Sequence, residues 1–353
     1  MNDLKNDDFD YELYYTTAND TYDNISSDEE DDDMLTLFDP IKPRVYMSNF
    51  QIGLIHFFLS SSFMILQFLV FSSFYNNKTI FKKTCFKIIF NHGILSLIQQ
   101  ICHIITSIIT ILEKEEINVV LPIIGAILTA SYIGSTSFIL LLTLNRFDIV
   151  YDINFLHNIE KEKFYLIGIV LCYIWTIVIF IGYSIIPACK LTFSFTSYEW
   201  IYLNSEEVFE FEKNFIFLML GISFVLQFMV LLKILFLRCG TSRKIVFVPD
   251  DLKIVFHAFL CFATTFFLEL LWEGLLFQSY FTGTFIIVPH LLYIFSSVSN
   301  SFFILCCVKE IRKNIIIYRY YKKKFKNSSP VKSIKLTFNT NGNKLINNVS
   351  ILS

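Results

Sequence analysis

The fold class this sequence predicts is an all-α integral membrane protein: a bundle of seven transmembrane helices with its N-terminus outside the cell and its C-terminus in the cytoplasm. Three observations carry that expectation. Of 353 residues, 54% are hydrophobic and only 17% charged, with 40 Phe and 18 Tyr, which is too apolar for a soluble domain of this length. Apolar stretches of roughly 17–25 residues, long enough to cross a hydrocarbon core of ~30 Å, recur seven times. Basic residues divide unevenly between the two sides of the membrane that this count creates.

Taken in order, residues 1–49 are acidic and polar and contain no apolar stretch. They read as a disordered tail without a cleavable signal peptide, so the first span is expected to serve as the targeting signal. The spans fall near 50–75, 85–112, 118–143, 164–188, 214–237, 253–279 and 284–308. Asn91, His92, Gln99, Gln100 and His103 interrupt the second, which leaves a re-entrant segment open as an alternative there. The runs are continuous and do not alternate in polarity, so helices are expected in place of a barrel; lipid admits only those two ways of satisfying the backbone. Residues 309–353 form a basic tail.

Six of the 29 Lys and Arg (Lys5, Lys42, Arg44, Lys114, Lys190 and Lys213) lie on one side of the membrane, leaving 23 on the other. The positive-inside rule therefore places the N-terminus outside and the basic tail in the cytoplasm. The acidic tail, Glu113 to Glu116, and the loop bearing Glu199, Glu206, Glu207, Glu210 and Glu212 all fall on the outer side. Two sequons, at Asn19 and Asn24, would then be open to glycosylation.

The eight cysteines lie in or beside apolar runs and form no disulfide framework. No His or Cys spacing supports a metal site, and no cofactor or nucleic-acid partner is expected. An enzyme is not expected either. The sequence has no HExxH, no glycine-rich phosphate loop and no intramembrane Ser-His pair.

Fold alone does not give function, so local motifs have to carry it. The third span ends in Leu142-Thr143-Leu144-Asn145-Arg146-Phe147, which resembles the inner end of the third helix of G-protein-coupled receptors. There an Arg sits in an Asp-Arg-Tyr motif; here Asn replaces the acid and Phe the Tyr. The Leu-Asn-Arg form is similar to nematode serpentine chemoreceptors of classes T and X. Thr84-Cys85-Phe86-Lys87-Ile88-Ile89-Phe90 resembles the opening of the second helix of class T. The stretch from Pro289-His290 through Asn300-Ser301 to Lys309-Glu310-Ile311-Arg312 is similar to its seventh helix and the basic segment after it. Together the likeness covers roughly residues 75–313.

The resemblance implies that Asn145, Arg146 and Phe147 meet a heterotrimeric G protein, with Arg146 holding the resting helix packing, and that Asn300 is part of the activation switch. No cysteine stands at the outer start of the third span, so the usual disulfide to the second outer loop cannot be carried over to Cys189. Asn300-Ser301 stands where many receptors have Asn-Pro. The acidic tail with Tyr11, Tyr14, Tyr15 and Tyr22 resembles chemokine receptors instead.

Other candidates come from the residues themselves. Glu269 and Glu273, four apart in the sixth span, share a helical face. A carboxylate at membrane depth is costly and marks a functional site by default. At about 1.5 Å per residue, Glu269 lies some 6 Å outward of mid-span and Glu273 about 12 Å, while His103 and His290 lie about 7 Å outward on the second and seventh helices. These residues, with Tyr132 and with Ser131 and Ser135 as a floor, are candidates for a ligand cavity; a single interhelical hydrogen bond is the alternative. Arg146 at the inner boundary can also be read as a snorkelling topology residue. Cys306 and Cys307 ahead of a basic, aromatic stretch suit S-palmitoylation beside a short helix on anionic lipid, or are unmodified core cysteines.

The expected function is that of a chemosensory G-protein-coupled receptor at the plasma membrane, with an outer-half cavity for a small molecule. Two alternatives stay open. One is a peptide or chemokine receptor that captures a basic ligand with the acidic tail. The other is a transporter or channel with a Glu/His relay.

Overall fold

A computed structural model describes residues 47–77, 80–112, 120–152, 160–195, 198–202, 206–240, 249–272 and 287–315. Seven helices are long and apolar enough to span a membrane. They are α1 (Asn49–Asn76), α2 (Thr84–Leu112), α3 (Val120–Tyr151), α4 (Lys161–Ile185), α5 (Glu206–Gly240), α6 (Pro249–Trp272) and α7 (Val288–Cys307), with a short α8 (Lys309–Asn314) after them. Between α4 and α5 a hairpin of β1 (Leu191–Ser194) and β2 (Glu199–Tyr202) pairs antiparallel in the register Leu191 to Tyr202 and Phe193 to Trp200.

These helices invert the polarity of soluble ones. On α1 the buried face carries His56, Ser60, Gln67 and Ser73, whereas Phe58, Ile65 and Phe68 face outward, as expected where the solvent is lipid. Ser48 starts the helix with a capping box: its Oγ accepts from the Gln51 N–H at 3.3 Å and the Gln51 side chain accepts from the Ser48 N–H at 3.1 Å. Four of the five polar interruptions of α2 turn inward. His92, Gln99, Gln100 and His103 are buried on one continuous helix, so the re-entrant alternative gives way.

Polar side chains then tie the bundle across its interior. Gln99 donates to the Ser131 carbonyl at 3.0 Å and to Ser135 at 2.8 Å, fastening α2 to α3. Gln100 donates to the Ile294 carbonyl at 3.1 Å and to Ser297, and Ser301 donates to Gln67. Asn300 donates to the Ile89 carbonyl at 3.2 Å, and His257 on α6 meets the Asn300 carbonyl oxygen at 3.1 Å. Gln227 on α5 donates to Thr143 at 3.0 Å and to the Ala258 carbonyl at 3.3 Å. At Gly53 a Cβ would stand 2.9 Å from the Ile111 backbone nitrogen, so α1 and α2 touch backbone to backbone there.

Two boundaries and one side-chain assignment depart from the sequence expectation. Helix α3 continues to Tyr151, two turns past residue 143, because its last charged side chains, Arg146 and Asp148, are buried and do not face water. Hydropathy locates where lipid ends, not where the helix ends. Helix α5 begins at Glu206, which puts Glu212 inside the helix and not in a loop. Ser131 and Ser135 serve the α2 contact and do not form a cavity floor. The acidic tail with its sequons Asn19 and Asn24, the residue Glu273 and the tail beyond residue 315 lie outside the described residues.

Candidate functional site

A cavity of about 160 Å³ opens between α3, α5, α6, α7 and the hairpin, lined by Tyr132, Glu212, Glu269, Trp272, His290 and Tyr293 among others. Its floor is aromatic. The ring of Tyr132 lies 5.7 Å from Trp272 and 5.4 Å from Tyr293, and Trp272 lies 4.8 Å from Tyr293, all nearly perpendicular. Such edge-to-face packing locks each ring by the next. The Tyr132 hydroxyl donates to the Glu269 carboxylate, so the acid of α6, only 4% exposed, is held against α3.

The hairpin closes the cavity from above. Leu191, Phe193, Trp200 and Tyr202 share one face of it by register. Phe193 reaches down to His290, ring to ring at 5.5 Å. A Cβ on Gly125 of α3 would stand 2.9 Å from the Trp200 ring and 3.0 Å from the Leu191 Cβ, so the glycine is what lets the hairpin seat on the bundle. Tyr183 and Tyr202 both donate to Glu212. Burial, and then the Glu212 carboxylate, push the Tyr202 phenol upward; burial alone raises the Glu199 carboxyl.

Tyr132, Glu269 and His290 thus meet at one cavity. His103 does not line it. It stands behind the wall, 5.4 Å from His290 and 4.9 Å from Tyr293. A third imidazole completes this layer: His56 of α1 lies 4.5 Å from His290. Both ring nitrogens of His56 and of His103 are buried without a hydrogen-bond partner among the described residues. No group of His, Cys, Asp or Glu suited to a metal ion occurs among those residues.

A family profile described as serpentine-type seven-transmembrane chemoreceptor Srx matches residues 57–245. The chain belongs to the Srx chemoreceptor family. No curated protein matches it. Among solved structures the crystal structure of squid rhodopsin is similar, with a TM-score of 0.61 at 10% identity, covering 78% of this chain and 86% of that one. At that identity the likeness shows the fold: a rhodopsin-like seven-helix bundle. This Srx protein is therefore a multi-pass membrane receptor of the G-protein-coupled class.

At the other end of the Srx bundle, Asn145, Arg146 and Phe147 are all buried in the last turns of α3. Phe147 stacks on Tyr151 at 4.5 Å and packs with Val230 and Ile234 of α5 and Val255 of α6. Arg146 is 3% exposed, and its Nε and Nη2 find no hydrogen-bond partner among the described residues. Two residues on, Asp148 is buried as well. It accepts from the Tyr165 hydroxyl at 3.2 Å and pairs with Lys161 of α4 at 3.2 Å. Beyond α7, Ile311 of α8 is fully buried and its carbonyl accepts from Ser73 at 2.9 Å, fixing α8 beneath α1. Cys306 is exposed and Cys307 half-buried at this junction.

Proposed function

We propose that this Srx protein is a chemosensory G-protein-coupled receptor whose outer-half cavity binds a small molecule and whose inner face, around Asn145, Arg146 and Phe147, engages a heterotrimeric G protein. The observation that carries the proposal is the pairing of an aromatic–acid cavity at one end of α3 with a buried Arg at the other, two of whose nitrogens find no hydrogen-bond partner among the described residues. One rigid helix joins both ends, so a ligand that repacks Tyr132 can bias the packing around Phe147. The N-terminus faces outside, as the distribution of basic residues argues. Asn300, tied to α2 and α6, is the joint through which α7 takes part. Asn19 and Asn24 are sites for glycosylation and Cys306 and Cys307 for palmitoylation.

Cells expressing the chain, screened with small organic molecules under a second-messenger readout, test this proposal against the peptide-receptor alternative. A saturable response that keeps its potency when residues 1–44 are deleted is expected. A response to basic peptides alone that disappears with the deletion would make the tail the ligand-capturing element. Ion or substrate flux without any second-messenger change would favour the transporter.

A further inference from the structure

Resting on the proposal that the cavity is the ligand site, we infer that it takes a small organic cation: a protonated or quaternary amine of about a dozen heavy atoms, seated between Glu269 and Glu212 against the Tyr132–Trp272–Tyr293 aromatic corner.

Charge is the first reason. Glu199, Glu212 and Glu269 line the cavity, against a single basic residue, Lys213. Lys213 is directed to the rim, where its Nζ lies 3.6 Å from Glu210 and 5.9 Å from the centre of the Phe209 ring. Glu212 accepts from the phenols of Tyr183 and Tyr202, neutral donors that orient the carboxylate without compensating its charge. Buried charges are normally paired, and a site with surplus acid repels an anion. A lining of three acids and one base favours a cationic ligand.

The aromatic rings are the second reason. Three rings meeting nearly at right angles present both faces and edges to one corner, and a ring face attracts a cation within about 6 Å of its centre. The Glu269 carboxylate stands at that same corner because Tyr132 holds it there. A carboxylate and π faces converging on one point suit an ammonium group and the carbon skeleton attached to it. A neutral hydrocarbon would use the rings alone.

Size is the third reason. A cavity of 160 Å³, at roughly 10–15 Å³ for each water-sized sphere, holds about a dozen heavy atoms. That admits a ring bearing an aminoalkyl chain and excludes a folded peptide.

The test uses the full chain in lipid nanodiscs and reads binding as a shift of thermal unfolding, which does not depend on any G protein. The probes are phenethylamine, its quaternary trimethylammonium analogue, the neutral 2-phenylethanol and the anionic phenylacetate, together with a panel of aliphatic amines of similar size. Concentration-dependent stabilisation by one or more amines, and none by the alcohol or the acid, is expected. Glu269→Gln should weaken the amine on the order of tenfold or more, the scale of a lost charge-assisted contact. If Glu269→Gln does not accumulate, Glu212→Gln carries the same expectation. Equal stabilisation by 2-phenylethanol, no stabilisation by any amine of the panel, or wild-type amine affinity in both Gln variants would overturn the cation assignment. Neutral agonists acting through the cavity would sink the ligand class and leave the receptor proposal standing; amine binding without any coupling would do the reverse.

Discussion

Arg146→Ala should reduce agonist-stimulated G-protein activation by about tenfold or more, the scale of losing one charged contact, while surface expression stays at or above the wild-type level. The two halves of this expectation have one cause. Arg146 is buried with two nitrogens unpartnered among the described residues, so its charge is a desolvation cost to the resting fold, and removing it costs the fold little. That same group is then available to a cytoplasmic partner once the helices part. Asn145 offers it no carboxylate, and Asp148 is taken up by Tyr165 and Lys161. Asn145→Asp should therefore lower basal signalling by giving Arg146 an ionic partner on its own helix. Surface labelling beside a second-messenger assay checks both variants. Wild-type signalling by Arg146→Ala would reduce the residue to a topology signal.

Glu269→Leu should abolish the agonist response at near-normal surface levels, and Tyr132→Phe should weaken it less. The Leu variant leaves the Tyr132 hydroxyl buried without its acceptor, a cost of about 1–3 kcal/mol, and frees the hinge between α3 and α6 at the cavity. Tyr132→Phe removes the donor and leaves the carboxylate in place. Because the two side chains touch, their effects should fall short of additive in a double-mutant cycle, measured as agonist potency. Full additivity, or an unchanged response in both, would mean that the Tyr132–Glu269 contact is structural filler.

The spans were legible in the sequence because continuous apolar runs have few other uses, and the second span was legible despite its polar residues. His92, Gln99, Gln100 and His103 are separated by about one or two helical turns and so lie on one face. Counting residues along a helix places Glu269 and His290 at one height, and both line the cavity. Rotation about each helix was not legible, since rise per residue says nothing about azimuth. For that reason His103 lies behind the wall, the Ser135 hydroxyl meets Gln99, and the Tyr132–Glu269 contact is legible only as a shared neighbourhood. His56 went unnoticed as a lone imidazole in an apolar run. The hairpin escaped because its strands are four residues long; the alternation in Leu191-Thr192-Phe193-Ser194 and Glu199-Trp200-Ile201-Tyr202 was its one signal. Glu212 was counted with the loop acids because helix α5 starts eight residues before its apolar run does.

The most direct measurement is nucleotide exchange on a purified heterotrimeric G protein, with the full chain reconstituted in nanodiscs and a small-molecule agonist from the screen added to the outer face. The account predicts agonist-dependent exchange that saturates, is lost with Glu269→Leu through the cavity, and is lost with Arg146→Ala through the inner face. Exchange that no ligand stimulates across the G-protein classes, while the ligand demonstrably occupies the cavity, would contradict it.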